Sequence, residues 1–203
     1  MGTSGTGGCN SFGGIMSNTW FSSDLHLGHA RLLEFCRETR SGETIQEHDE
    51  LLIEAWNTVV SKGDVVYILG DECLGDREVG YSNISRLNGQ KHLIKGNHTQ
   101  LRKQHHKEVF QSISDLKQIS VTLSNGIKQE IIMCHFPLLS WNRMDKGSWM
   151  LHGHCHGSLI DLGGKIFDCG IDNRKDNHML PFSLEEIEEY MKTRSFVERD
   201  HHR

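Results

Sequence analysis

Five short fragments constrain this chain more than its composition does: Asp24-Leu25-His26, Gly70-Asp71, Gly96-Asn97-His98, Cys134-His135-Phe136-Pro137 and Gly153-His154-Cys155-His156. Each places metal-binding side chains where a strand is expected to give way to a loop. Residues 18–22 read as a short strand running into Asp24, and 64–69 is a β-branched and aromatic run that stops at Gly70. Residues 90–95 stop at Gly96, 129–134 stop at His135, and 148–151 lead into His152-Gly153-His154. In open α/β sheets the rim beyond the carboxyl ends of the strands is where ligand sites form. Together the fragments offer two carboxylates, one amide and five imidazoles. That is roughly the donor set of two adjacent metal ions, with one imidazole left for proton transfer.

Taken singly, each fragment has an ordinary structural explanation. Asp-x-His is common by chance, and Gly70-Asp71 suits any turn after a strand. Gly96-Asn97 suits a left-handed turn, because both residues tolerate positive φ. His135 reads equally well as a hydrogen-bonded core histidine. His154 and His156 are stronger, because alternation along an extended chain puts both imidazoles on one side and Cys155 on the other. Even that pair would serve a small structural zinc site. What makes coincidence hard to defend is the set of five, in one order, behind five strand-like runs.

In that order, the fragments resemble the motifs of the calcineurin-like metallophosphoesterase superfamily: Asp-x-His, Gly-Asp, Gly-Asn-His, a later His, then Gly-His-x-His. The resemblance runs from Asp24 to His156. The opening Ser23-Asp24-Leu25-His26-Leu27-Gly28-His29 is most similar to small single-domain bacterial and phage members. The residue pattern by itself supports an α/β domain. The resemblance implies a four-layer α/β/β/α sandwich of two mixed β-sheets flanked by helices. It further implies one ion held by Asp24, His26, Asp71 and His156, and a second held by Asp71, Asn97, His135 and His154. Asp71 would bridge, and His98 would stand beside the pair as proton donor. Mixed oxygen and nitrogen donors suit Mn, the ion expected here, or Fe, Zn, Ni, Co or Mg, better than a soft-metal cage would. Two departures stand out: relatives often carry an acidic residue after Gly-Asn-His, where this chain has Thr99, and a second Asp after Gly-Asp, where it has Leu74. Asp76 is the nearby carboxylate that would take over the orienting of His98.

The expected reaction is hydrolysis of a phosphodiester or a small phosphomonoester by attack of a metal-bridging hydroxide. His98 would protonate the leaving oxygen, a contribution of roughly 10²–10⁴-fold for general acids. No serine sits in a Gly-x-Ser-x-Gly elbow, so no covalent intermediate is expected. The candidate substrate contacts are Arg143, the preferred phosphate clamp, with Arg31 and His29. Arg77 and Arg174 also fall near motif loops, and His152 flanks the ligands as a possible hydrogen-bond partner. The competing reading of each arginine is a solvated surface residue.

Two other function classes compete. A non-catalytic protein-interaction module on the same fold would tend to have lost ligands, whereas all seven positions and His98 are filled here. A protein using one zinc for structure predicts a single ion and no turnover. Within the enzyme reading, no large cap insertion separates the motifs. Substrate selection then falls to short loops near Asp76, Arg143 and 172–178, and an open site suits a diester.

At 203 residues the chain is long enough for one core, and a single domain is expected over 18–198. Residues 1–17, rich in Gly, Ser and Thr, are expected to be a flexible leader or an added remnant, and 199–203 a frayed tail. The formal charge of −5 argues against a chain that mainly coats nucleic acid. It leaves room for a nuclease, since bound divalent ions make a site mouth locally positive. Six cysteines form no Cys-x-x-Cys pair, which favours reduced thiols and a cytoplasmic location. No apolar run approaches the roughly 18–20 residues of a membrane span, and the leader lacks the features of a signal peptide. The partners expected are a small phosphorylated molecule or a nucleotide or nucleic-acid phosphodiester, and no membrane.

Helices are expected over 30–39, 44–61, 81–87, 99–109 and 181–192. In the second, Leu51, Leu52, Ala55, Trp56, Val59 and Val60 form the core face. Ser183 and Glu186 make a capping box for the last. Strands are expected over 116–123 and 127–134 around Ser124-Asn125-Gly126, and over 157–161 and 165–169 around Gly163-Gly164.

Overall fold

Alternating side chains on each strand determine the layers. A computed structural model describes residues 17–99, 107–176 and 178–197. Its strands are β1 Thr19–Ser22, β2 Val65–Ile68, β3 Gln90–Ile94, β4 Phe110–Ser114, β5 Leu116–Thr122, β6 Lys128–Cys134, β7 Trp149–His152, β8 Ile166–Asp168 and β9 Phe182–Ser183. Its helices are α1 Leu32–Phe35, α2 Ile45–Val59, α3 Arg77–Arg86 and α4 Leu184–Lys192, with 3₁₀ turns at Met144–Lys146 and Ile171–Asn173. One sheet runs β4-β3-β2-β1-β9 and the other β5-β6-β7-β8. Both are mixed. In the first only β1 and β9 pair antiparallel, and in the second only β5 and β6 do.

Val66, Ile68 and Leu93 turn toward α2, meeting Leu52, Ile53 and Trp56. Their neighbours Tyr67, Leu69 and Ile94 turn the other way, onto Ile131, Met133, Trp149 and Leu151 of the second sheet. Ile132, Met150 and Ile166 face outward again, where Trp141 and Met144 cover them. The result is an α/β sandwich of two mixed sheets between outer layers. The layer over the second sheet is a loop carrying the turn Met144–Lys146, while α4 inserts Ile187 and Met191 into the core between the sheets.

Several element expectations shift. The helix expected over 30–39 is only Leu32–Phe35; the backbone leaves the helix at Cys36, with φ −120° and ψ 35°, and 37–39 form a turn. Residues 157–161 form no strand; the chain turns there, Ser158 N donating to Cys155 O at 2.8 Å. β4 went unexpected, since Phe110–Ser114 alternates buried and exposed positions with only two apolar residues. Most of the helix expected over 99–109 lies outside the described residues; 107–109 are helical. In α2, Leu52, Trp56 and Val60 are buried as expected, with Ile53 beside them, but Leu51 is 36% exposed. The Ser183–Glu186 capping box is present. Among the described residues no helix is long and apolar enough to cross a membrane.

Candidate metal centre

Parallel pairing of β1 and β2 continues past their ends. Asp24 N donates to Gly70 O at 3.1 Å, His26 N to Asp71 O at 2.9 Å and Leu27 N to Glu72 O at 3.2 Å. The first two motif loops therefore run side by side. Ser23 Oγ ties them further, donating to Leu69 O at 2.8 Å. The third loop is held by Asp71 itself, whose Oδ1 accepts from His98 N at 2.8 Å. The fifth is held by Asp24, whose Oδ2 accepts from His154 N at 2.9 Å.

The backbone is strained where these side chains emerge. Asp24, His26, Asp71, His154 and His156 all have positive φ, between 48° and 70°. Non-glycine residues hold such angles at about 1–3 kcal/mol each, and only where their surroundings enforce it. Close packing explains the glycines. A Cβ on Gly153 would sit 1.8 Å from Ser23 Oγ and 2.6 Å from Asp24 Oδ2, and one on Gly96 would sit 2.2 Å from Asp71 Oδ1.

The donors converge. His26 Nε2 lies 4.0 Å from Asp24 Oδ1 and 3.9 Å from Asp71 Oδ2, and His156 Nε2 lies 3.9 Å from Asp24 Oδ1. His135 Nε2 is 3.4 Å from Asp71 Oδ2 and 2.9 Å from Asn97 Oδ1. His154 packs its ring edge-on against His135, centroids 5.1 Å apart. Asp24, His26 and His156 form one cluster of donor atoms within 4.8 Å of one another, and Asp24, Asp71 and His135 form a second. Asp24 Oδ1 is buried with no hydrogen-bond partner. Spacings of 3.9–4.0 Å are too long for hydrogen bonds but suit ligands of one ion. Two donors each ~2.1 Å from a metal lie at most about 4.2 Å apart. The residues fit divalent cations.

Electrostatics follow from burial and mutual charge. Burial pushes the Asp24 carboxyl up to about 6 against the pull of His156 and His135. Burial likewise drives His26 down to about 3, with Asp71 opposing. Asp71 stays below its ordinary range: burial would raise it, but the His135 hydrogen bond and charge overcome that. His156 is pushed up to about 10, since burial is outweighed by its hydrogen bond to Asp172.

A second ring of side chains orients the first. Asp172 Oδ2 meets His156 Nδ1 at 2.6 Å. Arg40, itself buried, holds Asp172 and also donates to Asp24 O at 2.6 Å and Leu25 O at 3.2 Å. His135 Nδ1 is 2.7 Å from Leu69 O, which aims Nε2 at the donors. Glu72 is fully buried, pushed up to about 7 by that burial, and accepts from Thr99 Oγ1 at 3.0 Å. Through Thr99, Glu72 ties the Gly-Asp loop to the Gly-Asn-His loop. Asp172, Arg40 and Glu72 escaped the sequence reading; the only local signal was Glu72 following Asp71.

Other expected residues sit differently. Asp76 caps α3, accepting from Glu78 N at 2.9 Å and Val79 N at 3.2 Å, so it is committed there and not to His98. Arg143 does not line the cleft. Trp141 and Met144 anchor its loop on the outer face of the second sheet, and its charge acts on Glu130 instead. Arg174 is buried against Phe182 and bonded to Leu180 O, Pro181 O and Glu186. His152 is buried, its Nδ1 2.8 Å from Gly153 O. Asp172 faces inward, so the 172–178 loop does not begin as a substrate-selecting one. Cys155 lines the same cleft as its flanking histidines. Alternation fails there because Gly153–Gly157 is a turn, with Cys155 N donating to Gly153 O at 2.8 Å.

The cleft has a volume of about 840 Å³, and its polar lining includes His26, His29, Asp71, Asn97, His98, His154 and His156. The Arg31 guanidinium lies over the ring of Phe35, another residue of the cleft lining.

No protein-family model matches the chain. It is 36% identical over 171 residues to the Gene 66 protein of Mycobacterium phage L5, covering 71% of this chain and 80% of that one. It is 30% identical over 148 residues to the uncharacterized protein MJ1445 of Methanocaldococcus jannaschii, covering 72% and 73%. Among solved structures, AQ665 of Aquifex aeolicus, a protein of unknown function, aligns with a TM-score of 0.62 at 20% identity, covering 86% of this chain and 100% of that one. At that identity the likeness speaks for the fold alone.

Proposed function

Because the chain belongs to the family of the Gene 66 protein of Mycobacterium phage L5, its chemistry has to be argued from the side chains it gathers, and we propose a dinuclear metal-dependent phosphoesterase of the calcineurin-like kind. One observation carries this reading: buried Asp24 Oδ1 has no hydrogen-bond partner, yet it faces His26 and His156 at ion-sharing distances. Asp24, His26, Asp71 and His156 would hold one ion, and Asp71, Asn97, His135 and His154 the other. A pair of divalent ions there supplies positive charge to phosphoryl oxygens and an acidified water.

The remaining chemistry belongs to the chain. Leu69 O and Asp172 fix the two imidazoles they touch, so the donor set is assembled before substrate arrives. The His98 backbone is pinned to Asp71 at 2.8 Å, while its ring lines the cleft. That ring gives a proton to the departing oxygen. Asp71 is held ionised, as a bridging ligand requires.

The test is hydrolysis of bis-p-nitrophenyl phosphate and p-nitrophenyl phosphate with Mn, Ni, Mg and Zn separately, alongside elemental analysis. Two ions per chain and metal-dependent release of p-nitrophenol are expected, with Asp71→Ala inactive. Two bound ions with neither ester hydrolysed would leave a binding module and end the enzyme reading.

A further inference from the structure

The donor residues make up only part of the cleft lining. The rest of the lining is largely apolar and includes Leu32, Phe35, Leu74, Leu159 and Ile160. A volume of 840 Å³ falls in the range of sites that enclose a whole small molecule, about 300–1,000 Å³, and is far more than a phosphoryl group fills. Two of the apolar side chains stand open to solvent, Phe35 at 65% and Ile160 at 77%. Exposed large apolar groups gathered in one concavity mark a surface that something covers.

The chemistry of that something is narrowed by two observations. The Arg31 guanidinium lies 5.1 Å from the Phe35 ring centroid, which backs one face of the ring and leaves it a plate. Aromatic plates take planar rings face to face, a preference shared by all nucleobases. The plate also adjoins the donor set, because Cys36 Sγ, one residue on, is 3.9 Å from His156 Nδ1.

Resting on the phosphoesterase reading for the phosphoryl end, we propose that this apolar lining is a base-stacking subsite and that the substrate is a small nucleotide ester. Phe35 is the stacking residue, with Ile160 also lining the cleft.

Isothermal titration of the Mn-supplemented protein in a His98→Ala background, where turnover is suppressed, with AMP, phenyl phosphate, cyclohexyl phosphate and inorganic phosphate tests this by binding. AMP is expected to bind at least ~10-fold more tightly than cyclohexyl phosphate, with phenyl phosphate between. Phe35→Ala should bring AMP down to the cyclohexyl level, and Phe35→Trp should keep the preference. Cyclohexyl phosphate binding as tightly as AMP would mean an apolar slot and no stacking. Phenyl phosphate outranking AMP would make the ligand an aryl ester, and an AMP affinity that ignores Phe35→Ala, or no AMP binding, would also overturn the proposal. Discrimination in binding without hydrolysis of either p-nitrophenyl ester would sink the phosphoesterase reading alone.

Discussion

Asp172 Oδ2 lies 2.6 Å from His156 Nδ1, and Arg40 grips the same carboxylate through Nε at 2.7 Å and Nη2 at 2.6 Å. The contact fixes the tautomer and aim of His156, so that Nε2 faces Asp24. Asp172→Asn keeps the shape and removes the charge. It should weaken metal binding by about 10–100-fold, the usual cost of losing such a partner, as read by competition with a chelator. Because the pair with Arg40 is buried, the variant should also lose about 3–5 kcal/mol in urea denaturation. Metal affinity equal to that of the wild type would show that His156 does not depend on Asp172.

His98 offers a cleaner separation of roles, since only its backbone N–H is bonded to the donor set. His98→Ala should therefore keep both ions by elemental analysis while kcat falls about 10²–10⁴-fold. The defect should be largest on alkyl esters and small on p-nitrophenyl esters, whose leaving group needs little protonation. An equal loss on both would assign His98 to something other than proton donation.

Gly96→Ala tests how tightly the loops are packed. The new methyl would lie 2.2 Å from Asp71 Oδ1 and 2.8 Å from Asp71 N. Displacing Asp71 should cost about 1–3 kcal/mol of stability, typical of overpacking, and should lower metal affinity. Gly63→Ala is the control: nothing lies within 4 Å and its φ is not positive, so stability should hold or rise by about 0.4–1 kcal/mol. Urea melts of the two variants settle the comparison.

The donor set was legible because each member follows a strand whose period is visible locally, as with Val66 and Ile68 before Asp71. The residues that aim it were not. Arg40 and Asp172 are 132 positions apart, and neither carries a local pattern. Arg143 misled for a related reason: its nearness to His135 in sequence says nothing about Trp141 and Met144, whose burial carries the loop away from the cleft. Cys155 misled because alternation presumes an extended chain, and positive φ at His154 and His156 breaks it. Glu72 was adjacent to a motif, yet its use depends on Thr99 arriving from another loop.

Asp64 joins the first two strands at the end of the sheet remote from the donors. Its carboxylate accepts from Asn18 N at 2.9 Å, Trp20 Nε1 at 3.0 Å and Ser61 N at 2.9 Å. Burial alone would raise its pKa, but the hydrogen bonds from Ser61, Asn18 and Trp20 hold it below the ordinary 3.8. A depressed carboxyl binds fewer protons folded than unfolded, so stability rises with pH across that window. Its contribution is complete above the unfolded value and disappears as pH falls through the folded one. Asp64→Asn should cost about 1–3 kcal/mol at pH 7 by leaving these donors poorly matched. The difference between wild type and variant should then shrink as urea melts move from pH 5 toward pH 2. Curves that stay parallel over that range would mean the carboxylate charge at Asp64 contributes nothing to holding β1 against β2.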